Sequence, residues 1–290
     1  MRKGSSKEWP LIDAFGICRQ TVLPLYLRPS IDSALVTQLL FGECYQLRGL
    51  TSDRQWFQAF HEDTGVEGWV WANSIKEITA ADYQVFLHQD FQIVTSPIAA
   101  ISYQGASVYL LPGSRLHFSE KELFNWQDHV GFTGTVRPHA QKASREELVE
   151  LALRFLHAPF QAGGRSIFGL DEVHAFPLIF GIGGYSWVSG KLPGRRIEPE
   201  EILPGDVLVA SDPLKKKSYL GLFLGADELL WMDHRMGITD LYPWESYIKK
   251  SSGAQFWEQM SYFGWTIGWG SQTYILGKVI LKNPQELSWR

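Results

Sequence analysis

The stretch "PFQAGGRSIFGLDEVHAFPLIF", residues 159–180, decides how the second half of the chain folds. Pro159 ends any helix before it, because the prolyl ring removes an N–H and clashes with the preceding turn. "AGGR" supplies a turn, and Asp171 stands where a carboxylate suits a helix N-terminus. A second helix is expected to begin at Asp171. Pro177 fits only the first turn of a helix, so this one must be short, kinked or shifted in its start.

Just upstream, "KASREELVELALRFLHAPF" carries Leu148, Leu151, Ala152, Phe155 and Leu156 at helical spacing. Ser144 with Glu147 three residues on predicts a capping box. Downstream, "GDVLVAS", "YLGLFLGADELLWMD" and "QTYILGKVILKN" are β-rich runs that predict an antiparallel sheet against the helices. Residues 139–290 therefore form an α+β domain.

The first half has another texture. "CRQTVLPLYL", "ALVTQLLFGECYQLRGL", "QWFQAF" and "EGWVWANSI" are short aliphatic, aromatic and Thr-rich runs punctuated by Pro, Gly, Asp and Ser, the pattern of a small all-β barrel over 14–80. "QIVTSPIAAISY", "SVYLLPGSRLHF" and "HVGFTGTVRP" repeat the style over 81–138, so two barrels in tandem are expected.

Composition narrows the function classes. A net charge of -4 leaves no cationic field for nucleic acid, and Lys215-Lys216-Lys217 is too short to make one. No apolar run reaches transmembrane length and the first residues lack a signal-peptide core, which reads as a cytoplasmic protein without a membrane span. Cys18 and Cys44 both fall in the first barrel, and no Cys/His spacing fits zinc; neither a metal nor a cofactor is expected.

With these landmarks in order, the chain resembles the NlpC-type cysteine peptidases, which cut γ-D-glutamyl-diamino acid bonds in cell-wall peptides and include members with two bacterial SH3-like barrels before the catalytic domain. The resemblance implies a papain-like α+β fold for the last domain. The family pattern reads Pro-aromatic-x-Trp-Gly-Gly, then Gly-x-Asp-Cys-Ser-Gly. Pro159, Phe160, Gly163 and Gly164 keep its frame, Ala162 replaces the tryptophan, and Gly169-Leu170-Asp171 matches. Glu172 then falls on the nucleophilic cysteine, with Val173 and His174 in place of Ser and Gly. The base of the His-Val-Gly-Ile strand corresponds to Tyr219, and the third polar residue to Trp231. A carboxylate attacks amides poorly, and a phenol with a pKa near 10 is a poor base at neutrality. The resemblance thus implies a setting kept by the fold, with its chemistry lost or replaced.

Each candidate residue has a bland alternative. Glu172 either contacts a ligand or stabilises a helix N-terminus. Glu172, His174, Asp233 and His234 have the side-chain types of an acid/base or metal site but no recognised spacing. Tyr219 and Trp231 either stack on a ligand or fill space left by smaller catalytic side chains. Phe256, Trp257, Tyr262, Phe263, Trp265 and Trp269 give residues 256–269 an aromatic load that suits core packing, a lid, or a protein-partner or homo-oligomer interface. In the first barrel, Tyr26, Trp56, Trp69 and Trp71 read either as a peptide-binding strip or as core. Three functions follow: a pseudoenzyme binding a cell-wall-derived peptide or a protein partner, a hydrolase with a displaced acid/base constellation, or a structural assembly module.

Overall fold

A computed structural model describes residues 8–103, 106–117, 131–187, 195–197, 202–212, 217–226, 228–232, 235–240 and 261–266. The chain begins with strands β1 (Glu8–Ile17), β2 (Val22–Tyr26), β3 (Leu35–Leu40), β4 (Cys44–Thr51), β5 (Trp56–His61), β6 (Val66–Trp71) and β7 (Lys76–Ile78), in the sheet order β3-β2-β6-β5-β4-β1-β7. β1 starts earlier than the barrel boundary at 14 expected from sequence. Pro10 and Asp13 hide it: the register slips between Pro10 and Ala14, and Asp13 takes a φ of 53°. Inside, Cys18, Leu23, Leu25, Leu39, Tyr45, Leu47, Ala59 and Val70 form one buried cluster. Val70 faces that core, so alternation turns Trp69 and Trp71 to the other side. There Trp56 meets Trp71 edge-on at 5.1 Å and Tyr26 at 5.8 Å.

The next element is a helix, α1 (Ala80–His88), where the sequence had been read as opening directly into strands. Thr79 caps it by accepting from the Asp82 N–H, and Tyr83 stacks on Phe15 at 4.2 Å. Strands β8 (Phe91–Val94), β9 (Ala99–Tyr103), β10 (Ala106–Leu110), β11 (Arg115–His117), β12 (Gly131–Thr133) and β13 (Val136–Pro138) follow, as two three-stranded antiparallel sheets, β10-β9-β12 and β11-β8-β13.

The last unit opens with α2 (Arg145–Leu153), which carries the expected capping box between Ser144 and Glu147. A turn through His157, at φ 69°, separates its end from Pro159. A short hairpin of β14 (Arg165–Ser166) and β15 (Gly169–Leu170) leads to α3 (Ala175–Ile182). α3 starts after Asp171, which places Pro177 in its first turn and resolves the conflict seen in the sequence.

The final sheet has the order β16-β21-β17-β18-β19-β20, formed by β16 (Arg195–Ile197), β17 (Val207–Asp212), β18 (Lys217–Gly225), β19 (Glu228–Met232), β20 (Met236–Asp240) and β21 (Ser261–Thr266). β21 comes from the aromatic segment and pairs with both β16 and β17. The run "QTYILGKVILKN" lies outside the described residues, as do Asp233, His234, and residues 256–260 and 267–269. The fold is thus mixed, with large antiparallel sheets and few helices, and no helix among the described residues is long and apolar enough to cross a membrane.

One core joins all three units. Leu40 from the first, Ile93 and Leu111 from the second, and Phe155, Phe176, Ile179, Phe180, Leu222 and Leu230 from the third belong to a single buried cluster. Gly113 sits within it at φ 97°, and a methyl group there would approach Leu178 to 2.6 Å and Leu40 to 2.8 Å. Burial of this kind, at about 25 cal/mol per Å² of apolar surface, makes the units a single packed body rather than beads on a linker.

Candidate functional site

The turn into α3 is organised by Asp171. Its Oδ1 accepts from the backbone N–H of Val173 at 3.0 Å and His174 at 2.9 Å, and its Oδ2 accepts from Gly163 at 2.8 Å. The His174 imidazole approaches Oδ1 through Nδ1 at 2.7 Å. Burial pushes the Asp171 carboxyl up, but His174 and the backbone donors outweigh it and hold it below its ordinary value. Asp171 is therefore a structural device, and its oxygens are occupied. The glycines have equally local reasons. Gly163 takes φ 72°, and a Cβ there would lie 2.4 Å from the Leu35 carbonyl of β3; a Cβ on Gly169 would collide with the Gln161 side chain.

Glu172 and His174 lie in this turn, Glu172 directly after Asp171 and His174 ending it. Tyr219 and Trp231 lie on neighbouring strands. Gly221 pairs with Trp231, and Leu222 with Leu230. Alternation therefore assigns Gly221 and Trp231 to one sheet face and Leu220, Leu222, Leu230 and Met232 to the other. The second row shares its buried core with Phe176, Ile179 and Phe180 of α3. The four candidates thus form two groups, Glu172 and His174 in the turn before α3, and Tyr219 and Trp231 on the neighbouring strands β18 and β19. Among the described residues no group of three His, Cys, Asp or Glu is placed to hold a metal.

The chain's two cysteines are both free and buried in the first unit, and burial pushes each thiol up to about 12. Neither stocks a thiolate near neutrality.

Sequence reasoning missed the most heavily built polar feature. Glu43, fully buried in the turn before β4, receives both terminal nitrogens of Arg165, at 2.7 and 2.8 Å. Arg115 of β11 reaches the same carboxylate at 3.5 Å and also binds Asp63. Arg165 further donates to the Gln38 carbonyl at 3.2 Å, and its own N–H donates to Gln38 Oε1 at 2.8 Å. Three units meet at one carboxylate. Burial pushes Glu43 up, yet Arg165, His61 and Arg115 bring it down to about 2. His61 and His117 are buried beside the cluster, and burial lowers both to about 4. His117 donates from Nε2 to the Gly42 carbonyl at 3.0 Å, which fixes its neutral tautomer.

Beside this junction lies a cleft of about 590 Å³. The β5–β6 turn, the end of α1, β11 and one side of α3 form its walls, and His174 and Arg165 border it, whereas Glu172 and Trp231 do not. Its separate pieces are unremarkable in sequence: an arginine in a three-residue strand and a Gln-Asp after a helix carry no motif.

Comparison with known proteins follows the same division. Residues 25–75 match a family described as the bacterial dipeptidyl-peptidase SH3 domain. An NlpC/P60 family protein from Bacillus cereus ATCC 10987 superposes with a TM-score of 0.63 at 16% identity, covering 78% of this chain and 94% of its own. An NlpC/P60 endopeptidase from Photobacterium damselae subsp. piscicida gives 0.61 at 11% identity, covering 88% and 73%. At such identities the likeness is one of fold. No curated protein sequence matches significantly.

Proposed function

We propose that this chain is a noncatalytic relative of the NlpC/P60 cell-wall peptidases, which binds a cell-wall-derived peptide without cutting it. The observation that carries the reading is the state of the chain's two cysteines, both buried in the first unit with thiols pushed up to about 12; the sequence resemblance, which aligns Glu172 with the family's nucleophile, supports it. The shared fold supports the peptide class, and the SH3 match over the first unit supports a binding module. We read residues 81–138 as a second, reduced SH3-like barrel that presses the first against the last unit.

The test is NMR of L-Ala-γ-D-Glu-diaminopimelate mixed with the purified protein and followed overnight. Broadened ligand resonances with no new signals are expected. Resonances of free diaminopimelate that persist after repurification would overturn the reading in favour of surviving hydrolase chemistry.

A further inference from the structure

The outer face of the first unit carries aromatic side chains that the barrel core does not use. Ala59 and Val70 point into that core, so alternation turns Trp56, Gln58, Trp69 and Trp71 outward, with Trp56 opposite Trp71 and Gln58 opposite Trp69. Trp56 and Trp69 are sunk to 5% and 6% exposure, whereas Trp71 leaves 37% of its surface to solvent. A sunken indole ordinarily gives its N–H to an acceptor. Trp56 and Trp69 have no such acceptor among the described residues, and neither N–H is among the unpaired polar atoms sealed from solvent, so both open at the surface. Gln58 repeats the arrangement with an acceptor. Its Nε2 donates to Glu67 at 2.7 Å, while its Oε1 has no donor among the described residues and is not sealed either.

These groups select a ligand class. An indole N–H only donates and an amide oxygen only accepts, so a ligand amide, with one C=O and one N–H, meets both. Net charge is not called for, since Glu67 is matched by Arg48 at 3.3 Å. Strand addition by an extended peptide needs a free sheet edge, and β5 and β6 lie inside the sheet between β4 and β2. What is offered is a flat ring beside an amide-recognising pair. The C–H face of a pyranose stacks on such a ring, and an acetamido substituent supplies the amide together with a methyl group. Trp69 and Trp71, two residues apart on one strand, stand about 7 Å from each other, the scale of one sugar ring with its substituent.

We infer that this face binds an N-acetylated hexosamine of a glycan chain, with the pyranose on Trp71, the acetamido carbonyl accepting from Trp69 or Trp56, and the acetamido N–H donating to Gln58 Oε1. The site stands apart from the turn before α3 and from the cleft at the junction, and it goes beyond the peptide binding proposed above without resting on it.

The probe is tri-N-acetylchitotriose, titrated calorimetrically into the full chain and followed in parallel by saturation-transfer NMR. Its counterparts are cellotriose, which lacks the acetamido groups, and hexaproline, a peptide that also packs on aromatic rings. Saturable binding of the first is expected, with cellotriose at least about fivefold weaker, the equivalent of one hydrogen bond. Saturation should be strongest at the acetyl methyl and at the protons of one ring face. Trp71→Ala should weaken binding about tenfold or more through the lost stacking surface. Trp69→Phe, which keeps a ring and removes the N–H, and Gln58→Leu should each weaken it about threefold or more. If Trp69→Phe does not fold, Trp71→Ala and Gln58→Leu decide. No saturable binding, equal binding of the two sugars, preference for hexaproline, or variants that bind like the parent overturns the assignment. Hydrolysis of the diaminopimelyl peptide would instead overturn the noncatalytic reading and leave this site standing.

Discussion

Glu43 and Asp171 are both carboxylates that gather groups from separate segments, and they do so by opposite means. Glu43 is fully buried and holds two guanidiniums from two other units, at a desolvation cost that only charge can offset. Asp171 is partly accessible and works mainly through neutral backbone donors from its own unit. One fastens the units together; the other shapes a turn. The difference shows how the turn before α3 is kept in shape: Asp171 and the glycines around it have structural duties that do not depend on the chemistry of the residue next door.

Removing the interunit anchor should have the largest effect. Glu43→Ala leaves Arg165 and part of Arg115 as uncompensated buried charge, so a loss of about 3–5 kcal/mol is expected in urea denaturation. Because one core runs through all three units, the transition should remain single. A local effect below about 1 kcal/mol would show that the packed Leu40–Leu111–Phe176 core holds the junction without its ions.

Acid should reach the same junction first through a histidine. His61 lies against Glu43, Asp63, Arg115 and Arg165, with Nδ1 3.0 Å from Thr64 Oγ1 and Nε2 3.9 Å from Asp63. Its folded pKa, about 4, is below the unfolded value of about 6.5, so the folded state binds fewer protons between them. The contribution is fully present above pH 6.5 and is lost as pH falls towards 4. Glu43, lowered to about 2, and Asp171, also lowered, add losses below about pH 4.5, as the unfolded carboxylates take up protons first. Stability should therefore fall from pH 6.5 downward, and His61→Gln should flatten the upper part by up to about 3 kcal/mol. His117, lowered to about 4 as well, adds to the same fall, so a profile flat from 7 to 4.5 in the parent would mean that neither histidine is held neutral by the fold.

The helical face of α2 and its capping box were legible because they depend on neighbours in sequence, Ser144 with Glu147, whereas Pro177 showed only that the helix after Asp171 had to be short, kinked or shifted, and the structure starts it at Ala175. The SH3-like strands were legible from alternation and turn residues. What escaped was set by distant partners. β1 hides behind Pro10 and Asp13, α1 has only Thr79 and Asp82 to announce it, and Ser261–Thr266 read as part of an aromatic-rich connection, whereas it is a strand paired with both β16 and β17. The junction was invisible, since nothing local says that Glu43, Arg115 and Arg165, scattered through the chain, share one buried point.

The smallest predicted effect is also the sharpest contrast between fold and chemistry. Asp171 and Glu172 are adjacent acids before the same helix. Asp171→Ala strands the N–H groups of Gly163, Val173 and His174 and should cost about 2–3 kcal/mol, with faster hydrogen exchange at those three amides. Glu172→Ala should cost no more than about 1 kcal/mol, the scale of a carboxylate near a helix N-terminus. Equal losses would assign Glu172 a structural duty equal to that of Asp171. The predicted inequality would instead show that Asp171 sets the shape of the turn, so that the adjoining position tolerates replacement while the fold stays intact.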